Sequence, residues 1–180
     1  MAKYFIIASV VLICILIAAW DLTSDPGKLI TIDHPAHIPA PELSITDIHG
    51  QTFSLSDYKG KTVLINIWAT WCPPCVYEIP DLLELAAMNE KIILIALSVD
   101  DAPEQINHFL NKLPEHTKKH LSSDSIIFSH DPNKIISKNT LNVTTYPETI
   151  VVNANGEIQD KIIGIVDWLS PEINERLLDQ

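Results

Sequence analysis

The sequence is poor in cysteine and in basic residues. Its only cysteines are Cys14, Cys72 and Cys75, so the Cys72/Cys75 pair has no second pair with which to complete the four ligands of a structural zinc site. Lysine and arginine number 12 against 23 aspartate and glutamate residues, which gives a formal net charge of -11. No basic stripe is present to neutralise phosphates, which argues against nucleic acid as a partner. We interpret the acidity as a contribution to solubility.

What the sequence does contain is a C-x-x-C motif in an informative place. Residues 63–68 form an apolar run typical of a buried strand, and the motif WCPPC follows at 71–75, where a helix should begin. Two thiols at this spacing can form a small, reducible disulfide ring, and a helix N-terminus stabilises the thiolate that carries out disulfide exchange. The pair therefore predicts redox chemistry rather than half of a metal site.

The N-terminus predicts a membrane anchor. Residues 4–20 are an unbroken apolar run, which Lys3 precedes and Asp21 follows. This charge arrangement places the N-terminus in the cytoplasm, so we expect a single-pass protein of the bacterial inner membrane whose domain faces the periplasm. Signal-peptide cleavage sites need small residues, and Trp20 is too bulky to fit that pattern. This favours an uncleaved anchor over a cleaved signal peptide. Cys14 follows a bulky residue, unlike a lipoprotein cysteine, and we interpret it as an inert thiol in lipid.

The anchor, residues 1–21, is followed by a linker and one globular domain. The linker at 22–40 includes most of a proline-rich stretch that starts at His34, and we expect this stretch to lack regular structure. We interpret its two histidines, His34 and His37, as solvated side chains rather than metal ligands. The remaining residues, 41–180, are long enough for one domain.

Within the domain, strand patterns and helix patterns alternate. Short runs at 43–48 and 52–55 predict an antiparallel hairpin, and Asn155-Gly156 is a strong turn signal for a second one. A nearly all-apolar run at 91–99 predicts a strand buried on both faces. The order of elements, a parallel βαβ half and then a ββα half, predicts a mixed α/β sheet covered by helices. The other expected elements are helices at 76–89, 103–113, 133–141 and 171–178, a polar loop at 115–125, and strands at 126–128, 149–152 and 161–165.

Two stretches of the chain carry a family resemblance. The segment NIWATWCPPC at 66–75 with Glu78 and Pro80, and the segment YPET at 146–149, resemble the membrane-anchored thioredoxin-like disulfide reductases of the TlpA/ResA type. The resemblance extends over residues 40–180.

This resemblance implies both a fold and an activity. The fold would be thioredoxin-like, with an N-terminal β-hairpin at 42–55 and a central insertion at 102–131. The activity would be reduction of protein disulfides outside the cytoplasmic membrane, often those of apocytochrome c, by a Cys72/Cys75 dithiol with no other cofactor and no metal. A membrane electron donor would then re-reduce the pair.

The residues of the motif can be assigned roles beside that resemblance. Cys72, at the open end of the helix, is expected to attack the partner disulfide, and Cys75, one turn further in, to resolve the mixed disulfide. Pro73 and Pro74 suit the first helical turn, where N–H groups have no intrahelical acceptor. Trp71, Pro73 and Pro74 are expected to form part of the surface that contacts the substrate.

Tyr146 and Pro147 form the second part of the expected site. Cis X–Pro bonds are a minority in proteins, but thioredoxin-like folds place a cis proline opposite the disulfide at this point of the chain. The resemblance therefore implies a cis Tyr146–Pro147 bond. The backbone of Tyr146 would then pair with an extended segment of the substrate.

Glu78 is expected to handle a proton. The resembled family has a partly buried glutamate at this position, and Asn66 stands here where thioredoxin has a buried aspartate. A carboxyl group near the thiols could take or return the proton of Cys75, and loss of contact with water would raise its pKa. The alternative is a glutamate that faces solvent. We interpret Trp68 as a core residue, and Trp168 as a residue that packs the last helix without a functional role.

Two other function classes stay open at this point. The hairpin at 43–55 also suits a peroxiredoxin-like peroxidase, although those enzymes usually lack the adjacent C-x-x-C. A copper-binding assembly protein on the same fold would use a dedicated histidine, for which His130 could be proposed. That family has three residues between its cysteines, whereas this chain has two. His116 and His120 are interpreted as residues of a surface loop rather than a metal site.

The charges around the apolar run lead to a prediction about location. We expect cell fractionation to leave the protein in the membrane, from which detergent but not high salt releases it, because residues 4–20 should span the bilayer. A soluble product that begins near residue 21 would contradict this and identify a cleaved signal peptide.

Overall fold

The computed structural model describes residues 30–31 and 38–178. The predicted anchor at 1–21, with Cys14, and the two linker histidines lie outside the described residues. Among the residues that are described, no helix is long and apolar enough to span a membrane.

A mixed β-sheet organises the domain. The described chain forms nine strands: β1 (Ile30–Thr31), β2 (Ile38–Pro39), β3 (Ser44–Thr46), β4 (Thr52–Ser54), β5 (Thr62–Trp68), β6 (Ile92–Ser98), β7 (Ile126–His130), β8 (Glu148–Val152) and β9 (Glu157–Ile163). Seven of them make one sheet in the order β1-β9-β8-β5-β6-β7, with β2 also paired to β9. β6 runs parallel to β5 and β7, whereas β8 runs antiparallel to β5 and β9. This is the predicted βαβ half followed by the ββα half.

The two central strands, β5 and β6, are buried along their whole length. Their residues are almost all apolar, as parallel strands covered on both faces should be. The covering helices are α1 (Pro73–Met88), α2 (Pro103–Lys112), α3 (Glu115–Lys118) and α4 (Pro171–Leu178). The ring of Trp68 packs 5.1 Å from that of Phe109 on α2 and 6.3 Å from that of Phe128 on β7. Its assignment to the core is confirmed.

Both predicted hairpins are confirmed. β3 and β4 pair antiparallel across a turn that contains Gly50, and β8 and β9 pair across the turn at Asn155-Gly156. Gly156 has a φ of +82°, a conformation that favours glycine. The first hairpin docks on β7, where the Ser129 hydroxyl donates to the Thr46 carbonyl at 2.6 Å.

Three local expectations need correction. The polar loop expected at 115–125 contains the single helical turn α3. The helix expected at 133–141 is a six-residue segment, Ile135–Thr140, with π-type hydrogen bonding. The proline-rich stretch pairs with β9 at Ile38–Pro39, since the edge of a sheet tolerates a residue that cannot donate to it.

A buried ion pair fixes the loop that leads into β8. Glu148 is fully buried, and Lys161 Nζ on β9 lies 2.6 Å from its Oε1. No other donor in the described chain bonds this carboxylate, so Lys161 provides its compensating charge. The same ammonium donates to the carbonyl of Asn142 at 3.1 Å. Lys161 therefore ties the start of this loop to the strand that follows it.

We expect Lys161→Met to lower the free energy of unfolding by about 3 kcal/mol, because it leaves the carboxylate of Glu148 buried without a partner. The double variant Lys161→Met/Glu148→Gln should recover most of that loss. The measurement is urea unfolding of the full chain in a neutral detergent, followed by tryptophan fluorescence. Equal losses in the single and double variants would contradict a charge-compensating role for Lys161.

Candidate active site

Cys72 occupies the position just before α1. Its backbone is extended (φ -99°, ψ 101°), and its carbonyl accepts the hydrogen bond from the Val76 N–H at 3.1 Å. Pro73 and Pro74 take the first two helical positions, where the missing N–H groups lose no helical bond. The partial positive charge of the helix N-terminus therefore lies at the sulfur of Cys72.

The two motif cysteines are joined by a disulfide, with their Cα atoms 5.3 Å apart. Cys75 is completely buried, while Cys72 is 4% exposed. The direction of this difference agrees with Cys72 as the sulfur that a partner reaches. The division into attacking and resolving thiols stays a prediction.

The loop between β5 and the cysteines is held by Asp100, a residue that the sequence reasoning missed. Its carboxylate accepts hydrogen bonds from the Thr70 N–H at 3.0 and 3.1 Å and from the Thr70 hydroxyl at 2.7 Å. The Ser98 hydroxyl donates to it at 2.6 Å. The available signal was its place two residues after the buried strand β6, since the ends of such strands meet at one edge of the sheet.

The second predicted segment lies beside the first. The Tyr146–Pro147 bond is cis, and the ring of Tyr146 packs edge-on against Trp71 with centroids 6.0 Å apart. Trp71 is 56% exposed, in keeping with a contact surface. The Gly164 N–H donates to the Pro147 carbonyl at 3.0 Å, which adds the end of β9 to the same surface.

The carboxyl group of Glu78 is enclosed in the core and is 1% exposed. Asn66 Nδ2 donates to its Oε1 at 2.7 Å, and Trp168 Nε1 donates to its Oε2 at 3.1 Å. Loss of water raises the pKa of Glu78 to about 7, although both hydrogen bonds oppose the rise. The solvent-facing alternative is therefore wrong. Glu78 lies three residues after Cys75 on the same helix, and its role in thiol proton transfer stays a prediction.

The environment of Glu78 adds a hydrogen bond to the packing role expected of Trp168. That residue does pack in the core, but its indole N–H also binds the carboxyl group of Glu78. Asn66 contributes from β5 and donates in addition to the Thr149 hydroxyl at 2.9 Å. Asn66 therefore joins the carboxyl group of Glu78 to β8.

The histidine proposed for copper is engaged elsewhere. His130 Nε2 lies 2.7 Å from the backbone carbonyl of Asp100. Within residues 38–178, no three His, Cys, Asp or Glu side chains are grouped so that they could hold a metal ion.

Comparisons with known proteins agree with this geometry. Residues 35–176 match the family model for Redoxin. The chain is 32% identical over 127 residues to thiol-disulfide oxidoreductase ResA of Geobacillus kaustophilus. The aligned region covers 69% of this chain and 67% of that relative. It is also 32% identical over 143 residues to thiol:disulfide interchange protein DsbE of Vibrio cholerae. That alignment covers 79% of this chain and 72% of the relative.

Solved structures show the same fold. A Chlorobium tepidum protein described as a thiol:disulfide interchange protein DsbE superimposes with a TM-score of 0.67 at 19% identity, over 82% of this chain and 98% of its own. A protein from Neisseria meningitidis described as a thioredoxin superimposes with a TM-score of 0.62 at 27% identity, over 76% of this chain and 88% of its own. The predicted thioredoxin-like fold is confirmed.

The burial of Glu78 predicts that stability depends on pH. Its pKa is raised from 4.5 to about 7 in the folded protein. As the pH rises, the unfolded chain therefore loses this proton at a lower pH than the folded protein does. The free energy of unfolding should then fall as the pH rises from about 4.5 to about 7. Glu78→Gln should remove this fall and, at pH 8, raise the free energy of unfolding by about 3 kcal/mol.

Urea unfolding of the oxidised protein between pH 4 and pH 8 measures this effect. Glu84→Gln, on the same helix but outside the core, is the matched control. If the free energy of unfolding depends on pH in the same way in wild type and Glu78→Gln, burial does not destabilise the ionised form of this carboxyl group.

Proposed function

This chain belongs to the Redoxin family and is a thiol-disulfide oxidoreductase, and on that premise we propose that it reduces the disulfides of partner proteins outside the cytoplasm. Residues 1–21 would hold it to the bacterial inner membrane, with the thioredoxin-like domain in the periplasm. The proposed orientation follows from Lys3 before the apolar run and Asp21 after it.

The observation that carries the proposal is the position of the Cys72/Cys75 pair. It lies at the N-terminus of α1, where a thiolate is stabilised, and next to the surface formed by Trp71, Tyr146 and Pro147. A disulfide on an extended polypeptide can lie on this surface while the backbone of Tyr146 pairs with it.

The proposed reduction of one partner disulfide uses the two thiols of the motif. The Cys72 thiolate attacks one sulfur of the partner disulfide, so a bond between Cys72 and the partner forms and the other partner sulfur leaves as a thiolate. The Cys75 thiolate then attacks the sulfur of Cys72, which closes the Cys72–Cys75 disulfide and releases the second partner sulfur. Two electrons pass to the partner, whose two sulfurs take up two protons.

Glu78 would act at the second step. Cys75 is completely buried, so its thiol needs a nearby group that accepts its proton. The Glu78 carboxyl group, with its pKa raised to about 7, can accept that proton at neutral pH and release it to solvent or to the partner afterwards.

The proposed partners are proteins with reducible disulfides, and apocytochrome c is the one that the TlpA/ResA resemblance implies. A membrane electron donor would complete the cycle by reducing the Cys72–Cys75 disulfide. The similarity to a thiol-disulfide oxidoreductase and to a thiol:disulfide interchange protein supports this chemistry over a peroxidase or a copper carrier.

We expect Cys75→Ser to accumulate mixed disulfides with partner proteins in cells, because the bond to Cys72 then has no resolving thiol. Cys72→Ser should accumulate few, since Cys75 is buried. The measurement is non-reducing electrophoresis of membranes after acid quenching. If Cys72→Ser traps more partners than Cys75→Ser, the roles of the two thiols are reversed.

The direction of electron flow has its own test. Alkylation of acid-quenched cells with a mass-tagged maleimide reports the steady-state redox form of Cys72 and Cys75. A mostly reduced pair supports the reductase, whereas a mostly oxidised pair would identify an oxidase of partner thiols.

A further inference from the structure

A pocket of about 490 Å³ opens beside the surface formed by Trp71, Tyr146 and Pro147, and Tyr146 is one of its lining residues. Tyr146 precedes the cis proline, and its ring contacts Trp71 beside the cysteines. A polypeptide that pairs with the backbone of Tyr146 would therefore run past the mouth of this pocket. The remaining lining residues are Lys134, Lys138, Asn142, Val143 and Thr144.

Two lysines give the pocket a positive charge on a chain whose formal net charge is -11. Neither Lys134 nor Lys138 forms an ion pair with any residue that the structure describes. Both lysines line the same pocket, so a carboxylate of a ligand in that pocket would be attracted to them.

The lining residues include no carboxylate, and the two buried carboxylates that flank this segment in the sequence already have partners. Asp131 accepts hydrogen bonds from the N–H groups of Ile135 and Ser137 at 2.9 and 2.8 Å and from the Ser137 hydroxyl at 2.8 Å. Glu148 is buried and paired with Lys161. The lysines are therefore the charges that this wall offers to a ligand.

The backbone of the pocket is held in an unusual conformation. Lys134 has a φ of +55° and Asn142 a φ of +54°, and they are the two non-glycine residues with positive φ in the described chain. This conformation is unfavourable for a lysine and persists where neighbouring contacts fix it. Here the Lys134 N–H donates to the Asp131 carbonyl at 2.9 Å, and the Asn142 carbonyl accepts from Lys161. Both ends of the pocket wall are thus anchored.

We propose that this pocket binds acidic side chains of the partner polypeptide next to the disulfide that is reduced. The inference rests on the proposed function and names its substrate class: disulfides flanked by aspartate or glutamate. The chain as a whole repels an anionic peptide, so a preference for acidic flanks must come from a local cationic site.

The test compares two synthetic peptides that share one intramolecular C-x-x-C disulfide. One carries three glutamates on each side of the disulfide and the other three glutamines. The full chain is reduced in a neutral detergent, and second-order rate constants for peptide reduction are measured by acid quench at low salt. We expect the glutamate peptide to react about fivefold faster, with the preference lost at high salt.

The variant Lys134→Asn/Lys138→Gln should bring this ratio to one or below without slowing reduction of the glutamine peptide. Asparagine is chosen at 134 because it tolerates the left-handed backbone. The matched control is Lys61→Gln/Lys91→Gln, which changes the net charge equally. Those exposed lysines precede β5 and β6 and so lie at the sheet edge opposite the cysteines. The control should keep the preference.

The outcomes separate this inference from the proposed function. Reduction of both peptides at equal rates, or loss of the preference in the control as well, would overturn the acidic-substrate site and leave the reductase in place. Failure to reduce either peptide would overturn both. If the pocket variant does not fold, the wild-type ratio and its salt dependence decide alone: a ratio at or below one contradicts the proposal, and a ratio above one that falls with salt supports it.

Discussion

The carboxyl group of Glu78 joins three distant parts of the chain inside the core, and the site is arranged around it. α1 supplies Glu78, β5 supplies Asn66, and the segment before α4 supplies Trp168. Two donors at 2.7 and 3.1 Å partly replace the water that this group has lost. The helix that begins at the cysteines is therefore held to the central strand by a titratable group. In the proposed function, the position of the thiols and their proton chemistry would be linked through this one side chain.

Other buried carboxylates at this end of the sheet are compensated by different means. Asp100 receives hydroxyl and backbone donors and so fixes Thr70, two residues before Cys72. Asp131 receives two N–H groups and a hydroxyl and fixes the segment that precedes the cis-proline loop. Glu148 instead receives an ammonium group from Lys161. Each of these three carboxylates holds a segment near the cysteines or the cis proline, because a buried charge must keep its partners close.

The features that could be predicted from the sequence depend on local patterns. The apolar runs of β5 and β6, the Asn155-Gly156 turn and the C-x-x-C before a helix are each contained within about a dozen residues. The cis bond before Pro147 came from the family motif rather than from physics. The pairing of Glu78 with Trp168 joins residues 90 positions apart, and that of Thr70 with Asp100 joins residues 30 positions apart. Neither pairing leaves a periodic signal, so only the folded arrangement reveals it. The same is true of the left-handed backbone at Lys134, because a lysine does not indicate a positive φ.

A carboxyl group buried in this way is costly at neutral pH, which bears on what Glu78 does. An uncharged amide of the same shape could bind Asn66, whose Oδ1 has no hydrogen-bond partner in the described chain, without the penalty of ionisation. Local features that reduce stability tend to occur where chemistry requires them. If the reduced thiols act beside Glu78, as we propose, each negative charge in the core makes the next less favourable. In the proposed function, the proton that leaves Cys75 would pass to an ionised Glu78, so that no second charge would be created in the core.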